Sequence, residues 1–148
     1  MNSTRISVFA VLSFALLFAA CSQQQQLADN LTRQSGRWNI DNYRITVATT
    51  GLPEDVTEYG DSGYMYFFDN FDGQWIDLKD PDEVLFIEFE WEITDANTLL
   101  IVYDNEEFEF TFQVNEKDRQ VIVYSETVAL TDEINVTTTI EYELLRIE

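Results

Sequence analysis

The chain has 148 residues, 45% of them hydrophobic, and its 28 Asp and Glu against 8 Lys and Arg give a formal net charge of −20. This composition suits one folded domain, excludes disorder throughout, and opposes binding to phosphate backbones, so we expect no nucleic-acid partner. The chain has no His and a single Cys, which excludes His-based catalytic triads, His-containing zinc sites and an intramolecular disulfide.

The first twenty residues are typical of a secretory signal peptide. A single basic residue, Arg5, precedes the largely apolar run from Ile6 to Ala20, and Cys21 follows directly. As a helix this run would be ~22 Å long, short of the ~30 Å hydrocarbon core of a membrane. A basic start, a short apolar region and small residues before a cut site predict that residues 1–20 are a cleaved signal peptide.

The segment before Cys21 resembles the lipobox of bacterial lipoproteins. It reads Leu17-Phe18-Ala19-Ala20, with Phe18 where that family usually has an aliphatic residue. The resemblance implies that Cys21 carries the lipid and that its acyl chains anchor the protein in a membrane, since stable anchoring needs more than one chain. A buried structural Cys is the other interpretation. By the same analogy Ser22 favours the outer membrane, on either its periplasmic or its external face.

The polar segment after Cys21 is predicted to be a tether. It reads "SQQQQLADNLTRQS" and has no strong periodic pattern. We therefore expect residues 21–35 to be a lipidated Cys followed by a flexible linker, with a folded domain over 36–148.

The folded domain is predicted to be all-β. Strand-like runs alternate with turn signals from Gly36 onward, with a long loop containing Gly51, Pro53 and Gly60 after the first run. The runs cover residues 37–48, 64–68, 74–78, 85–93, 98–103, 108–114, 120–128 and 136–144. Short connections favour antiparallel neighbours, and a closed sheet leaves no edges. We therefore predict an eight-stranded antiparallel up-and-down barrel, with a two-sheet sandwich as the alternative.

The first strand has a change of register in its apolar pattern. Trp38 and Ile40 fall at even positions, whereas the apolar residues from Tyr43 to Val47 fall at odd ones. Because side chains alternate between the two faces of a strand, one extra residue is needed to keep both groups on the same side. The pattern predicts a β-bulge at Asp41-Asn42, where Asp and Asn tolerate irregular backbone.

The sequence Gly36-Arg37-Trp38 resembles the G-x-W motif at the start of the first lipocalin strand. The resemblance implies that Trp38 closes one end of the barrel and that a basic residue of the last strand, Arg146, packs across its ring. Arg146 shares its parity with the run from Val136 to Leu144, which agrees with this pairing. The segment from Gly36 to Glu148 is similar to the small lipocalin-like lipoproteins of Bacteroidetes.

Two functions for the predicted interior stay open. The first is a pocket for a small apolar ligand, and the second is a filled core in a non-enzymatic module that docks an envelope protein partner through its acidic surface. The candidate lining residues are Tyr66, Phe68, Phe89, Trp91, Phe108, Phe110, Phe112 and Tyr142. Apart from Arg146 we expect no charge to face inward.

The acidic residues do not form a pattern that predicts catalysis or metal binding. Glu88, Glu90 and Glu92 share one outer face rather than facing each other across a cleft. The segment "FDNFDGQWIDLK" has Phe68 and Lys79 where a calcium loop needs its first and last acidic ligands. We therefore expect a lipid-anchored outer-membrane lipoprotein that is not an enzyme and needs no cofactor or metal.

Overall fold

A computed structural model describes residues 23–80 and 82–147. A helix, α1, covers residues 23–32, and the short turn Gln34–Gly36 connects it to the first strand. The eight strands are β1 (Arg37–Thr49), β2 (Asp55–Phe67), β3 (Asp72–Asp80), β4 (Glu83–Ile93), β5 (Thr98–Tyr103), β6 (Glu106–Asn115), β7 (Arg119–Ala129) and β8 (Asn135–Arg146). The predicted signal peptide, the predicted lipidation site Cys21 and Ser22 lie outside the described residues.

The strands form a closed antiparallel barrel. Each strand pairs with the next along the chain, and β8 pairs with β1 from Trp38–Arg146 to Thr49–Val136. This confirms the predicted eight-stranded up-and-down topology. Closure pairs the two strands that would otherwise be sheet edges, which removes unpaired backbone donors and acceptors from the surface.

The register change in β1 is a β-bulge at the predicted position. Ile40 pairs with Leu144 and Asn42 with Glu143, so Asp41 is an extra residue opposite β8. Asp41 is exposed, whereas Ile40 on one side of the bulge and Tyr43 on the other are both buried. The bulge therefore keeps the apolar residues of both halves of β1 inside the barrel.

Strand β2 begins earlier than the sequence predicts. The loop between β1 and β2 covers only residues 50–54, and Gly60 and Gly63 lie within the strand rather than in a turn. Gly63 has a φ of +139°, and a Cβ there would lie 1.9 Å from the carbonyl oxygen of Ile76. A close backbone contact inside the sheet therefore requires a glycine here. In the sequence alone, such a glycine looks the same as one in a turn.

The inward face of β2 is also opposite to the predicted one. Met65 and Phe67 are buried, whereas Tyr66 and Phe68 lie on the outer wall with their ring centroids 6.2 Å apart. The guanidinium of Arg37 lies over the Tyr66 ring. The prediction was wrong because the run "YMYFF" is apolar at both parities, so alternation alone cannot assign its faces.

Residues 23–32 are helical and pack on the barrel, in contrast to the flexible tether predicted for 21–35. Leu27 and Leu31, spaced for one face of a helix, are 2% and 0% exposed in the core. The Gln24 side chain donates to the carbonyl oxygen of Thr94 at 3.0 Å, and Asn30 bonds to Asn115 at 3.1 Å. Two leucines in a polar run are too few to show a period, but they suffice to cover one end of the barrel.

The core extends from this covered end, called here the closed end, toward the middle of the barrel. Its fully buried members include Trp38, Phe67, Leu99, Ile122 and Leu144. Within the described residues, no helix is both long and apolar enough to span a membrane.

Candidate functional site

The barrel encloses a cavity of about 260 Å³. Its lining is contributed by Tyr43, Met65, Trp75, Ile87, Phe89, Ile101, Tyr103, Phe108, Phe110, Tyr124, Ile140 and Tyr142. These residues lie toward the far end of the barrel, where the β5–β6 turn is, rather than beneath α1. Tyr103, which is 44% exposed, marks the side of the cavity nearest solvent. The interior is therefore filled at the closed end and hollow beyond it.

Half of the predicted lining residues border this cavity. Phe89, Phe108, Phe110 and Tyr142 do so, whereas Trp91 and Phe112 are buried outside it in the core. Tyr66 and Phe68, on the outer wall, do not contribute. The other lining residues were not predicted. Strand parity does indicate that Ile101 and Ile140 face inward. They were missed because the prediction named only aromatic residues as lining.

Contacts between aromatic rings hold the cavity wall in shape. Tyr142 stacks on Tyr43 with the ring centroids 4.8 Å apart, and Trp75 meets Tyr142 edge-on at 5.7 Å. Across the cavity, the Tyr124 ring lies 5.7 Å from that of Phe110. Such pairs stabilise a folded state by ~0.5–1.5 kcal/mol beyond the area they bury. The wall is therefore preformed rather than assembled around a ligand.

Next to the cavity lies a group of polar side chains, called here the polar corner: Tyr43, Trp75 and Tyr142, which line the cavity, together with Asp77 and Lys79, which do not. Asp77 is 7% exposed, and its Oδ2 lies 3.1 Å from the Lys79 Nζ. The same Nζ lies 4.1 Å from the centroid of the Tyr43 ring and 5.2 Å from that of Trp75. This corrects the expectation that Arg146 is the one inward charge. Both residues share the parity of Trp75, Asp77 within the predicted strand and Lys79 one residue beyond its end, and this parity was the signal that indicates them.

The Tyr142 hydroxyl titrates abnormally in this environment. Burial raises the pKa of Tyr142 well above its ordinary value, and the hydroxyl of Tyr43 and the carboxylate of Asp77 raise it further. In the unfolded chain the same hydroxyl loses its proton near pH ~10. The unfolded state then binds fewer protons than the folded state, so the stability that Tyr142 contributes is present below this pH and is lost above it.

We expect Tyr142→Phe to flatten the fall in stability above about pH 10. One such tyrosine steepens the decline by at most ~1.4 kcal/mol per pH unit, and the variant lacks this contribution. Urea unfolding of both proteins at several pH values between neutrality and alkaline pH measures the two slopes. Equal slopes would contradict a strongly shifted Tyr142.

The closed end is held by Trp38 and Arg146. The guanidinium carbon of Arg146 lies 4.1 Å from the centroid of the Trp38 ring, and the Trp38 Nε1 donates to the carbonyl oxygen of Leu31 at 3.0 Å. Arg146 also donates to the carbonyl oxygens of Asn30 and Arg33, at the end of α1. Burial lowers the pKa of Arg146, and the carboxylate of Asp118 opposes that shift. These contacts hold α1 against the closed end of the barrel. The cavity lies toward the opposite end.

Comparisons with known proteins place no further constraint on the site. No protein-family model matches the chain, and no curated protein matches it. The interior geometry of the barrel is therefore the basis on which a function is assigned.

Proposed function

We propose that the protein is a lipid-anchored lipoprotein of the outer membrane, with a lipocalin-like barrel that binds a small apolar molecule. The observation that carries the binding proposal is the ring-lined cavity of about 260 Å³. Its twelve lining side chains are all uncharged. Pockets for drug-sized ligands have volumes of ~300–1,000 Å³ and mostly apolar walls, so this cavity suits a molecule somewhat smaller than a drug.

The arrangement of the two ends supports the same proposal. The contacts of α1, Trp38 and Arg146 seal one end, whereas the cavity lies on the other side of the core. An apolar molecule that enters such a site leaves water without displacing the packed core, which favours binding. A barrel that served only as a scaffold would be more stable with this volume filled.

Narrowing the cavity is expected to weaken binding. Ile140→Trp places a bulky side chain at a lining position, whereas Thr139→Trp, one residue earlier, places it on the outer wall. Isothermal titration of the full chain in lipid nanodiscs with butylbenzene, with empty nanodiscs subtracted, measures the affinity. We expect wild type and Thr139→Trp to bind and Ile140→Trp to bind at least about tenfold more weakly. Equal affinities of the two variants would place the ligand outside the barrel.

The proposed anchor depends on Cys21. Changing Cys21 to Ser removes the thiol that the lipid would modify, so we expect the protein to leave the membrane fraction. Fractionation of cells that express each form, with detection by immunoblot, measures this. Ser22→Ala, which leaves the thiol in place, is the control and is expected to remain with membranes. A Cys21→Ser protein that is distributed as the wild type would reject the anchor.

The second candidate function is a module that docks an envelope protein partner. It is favoured by an exposed apolar strip on the outer wall of β3 and β4, where Leu78, Val84 and Phe86 are 36%, 49% and 66% exposed. Small patches of this kind are common on monomeric proteins, and larger ones mark interaction sites. A chain that binds no small apolar compound in the titration would favour this candidate over ligand binding.

A further inference from the structure

The turn between β2 and β3, residues 68–71, exposes two phenylalanine side chains at the closed end of the barrel. Phe68 is exposed, and Phe71 is 56% exposed. Phe71 has a φ of +67°, a backbone conformation that a bulky residue rarely adopts and that Gly or Asn adopts at lower cost. The turn therefore holds an exposed phenyl ring where a small polar residue would be more stable. This points to a role for the ring outside the fold.

Helix α1 brings the proposed anchor to the same end. The Gln24 side chain donates to the carbonyl oxygen of Thr94, and the Trp91 backbone amide donates to the carbonyl oxygen of Phe71 at 2.8 Å. Thr94 and Trp91 are three residues apart, which is ~10 Å of extended chain. Cys21 is two peptide units before the first residue of α1, so the Cα atoms of the two are at most ~7.6 Å apart. A lipid on Cys21 would therefore hold the closed end close to the lipid surface.

The distribution of charge favours the same orientation. Seven of the eight Lys and Arg lie in the described part of the chain, and five of these are at the closed end: Arg33, Arg37, Lys117, Arg119 and Arg146. Asp69 and Asp95 lie in turns at this end, so it is less negative than the far end rather than positive. The far-end turns at residues 50–54, 104–105 and 130–134 have acidic residues and no Lys or Arg. An anionic lipid surface therefore repels the far end more strongly.

We propose that the closed end docks on the membrane that holds the Cys21 anchor, with the Phe71 ring at the boundary between headgroups and acyl chains. This inference rests on the proposed lipid anchor and adds the orientation of the barrel. An exposed Phe side chain leaves water at that boundary, which favours docking. One turn is a small contact, but the covalent anchor keeps it at a high effective concentration beside the lipid. The cavity then faces away from the bilayer, and a ligand enters it from the aqueous phase.

Fluorescence quenching by spin-labelled lipid tests this orientation. Asn70→Cys places a thiol in the β2–β3 turn, and Asp132→Cys places one in a far-end turn, both at exposed positions. Because Cys21 is the single Cys of the chain, its lipidation leaves the introduced thiol as the site for a dye. The full lipidated chain is reconstituted in nanodiscs of phosphatidylethanolamine and phosphatidylglycerol, some of which carries a nitroxide on its acyl chain. We expect the dye at position 70 to lose most of its fluorescence and the dye at position 132 to keep it.

Two further variants assign the docking to the Phe71 ring. In the Asn70→Cys background, Phe71→Asn removes the ring and suits the left-handed backbone, so the turn should keep its shape. We expect the ratio of docked to undocked barrels to fall by about tenfold, the factor for one Phe side chain removed from lipid. Phe86→Asn removes a more exposed ring from the outer wall of β4, and the quenching should not change. Circular dichroism verifies that both variants are folded.

The outcomes distinguish this inference from the proposed anchor. If the wild-type chain takes up the dye and does not stay with the nanodiscs, the anchor is rejected, and the docking with it. If the anchored chain shows equal quenching at the two positions, or if Phe71→Asn is quenched as strongly as its parent, the docking is rejected although the anchor stands. A dye at position 70 that is shielded from aqueous iodide but not quenched by lipid would also reject it, and would indicate a second copy or a protein partner on this surface.

Discussion

Replacing Gly36 by Ala is expected to lower the free energy of unfolding by more than ~3 kcal/mol, enough to unfold a marginally stable domain. Gly36 has a φ of +66°, and a Cβ there would lie 1.8 Å from the carbonyl oxygen of Phe67. That oxygen belongs to the backbone at the end of β2 and cannot rotate away. The connection between α1 and β1 would have to move, which would displace Trp38 and the helix from the closed end.

Gly51→Ala is the matched control for this change. Gly51 also has a positive φ, +78°, but a Cβ there meets nothing within 4 Å. The free energy of unfolding of Gly51→Ala should therefore fall only by the cost of placing Ala in the left-handed region, ~1–2 kcal/mol. Thermal and urea unfolding followed by near-ultraviolet circular dichroism measure both variants. A Gly36→Ala protein as stable as Gly51→Ala would mean that the contact with Phe67 is relieved without cost.

Replacing Arg146 by Met is expected to destabilise the protein by ~3 kcal/mol and to release α1 from the barrel. The Arg146 side chain is 2% exposed, lies against the Trp38 ring, and donates to the carbonyl oxygen of Lys117 at 2.9 Å besides those of Asn30 and Arg33. Each hydrogen bond to a charged group contributes ~1.5–3 kcal/mol to the stability of the folded state. Part of this is recovered in the variant, because water can bond to the carbonyl oxygens once the end of α1 is exposed. Met fills much of the volume but donates to none of these oxygens.

Two measurements separate this role from a general loss of packing. Hydrogen exchange read by mass spectrometry should rise in residues 23–33 well before it rises in the strands. Arg119→Met removes a cation whose ion pair with Glu143 is on the surface, and we expect it to leave the exchange of α1 unchanged. If α1 keeps its protection in Arg146→Met, the Trp38–Arg146 contact does not hold the helix.

Local patterns predicted the strands because each strand has one solvent-exposed face and one buried face. In β4, for example, exposed Glu88, Glu90 and Glu92 alternate with buried Phe89 and Trp91. The bulge in β1 was predictable for the same reason, since both halves of that strand can face the core only if one extra residue separates them. Where both parities are apolar, as in "YMYFF", the pattern gives no direction, and the faces of Tyr66 and Phe68 were assigned wrongly.

The candidate site was only partly predictable. Phe89, Phe108, Phe110 and Tyr142 lie on the cavity, as their parity indicates. Two members of the polar corner were missed for different reasons: Asp77 lies within the predicted strand and shares the parity of Trp75, but no inward face was assigned to that strand, and Lys79 lies one residue beyond Leu78, where the predicted strand stopped. A cavity is a volume left over when side chains from several strands meet, so no single strand contains the information that locates it.

The sequence by itself determined the all-β class, the number of strands and their order in the barrel, because alternation and short connections act between residues close in the chain. Only the tertiary structure decided that residues 23–32 form a helix on the barrel, that Gly36 and Gly63 are required by backbone contacts, and that one half of the interior is hollow. Each of these depends on atoms far apart in sequence, such as Leu31 and Trp38 with Arg146, which the closed sheet brings together.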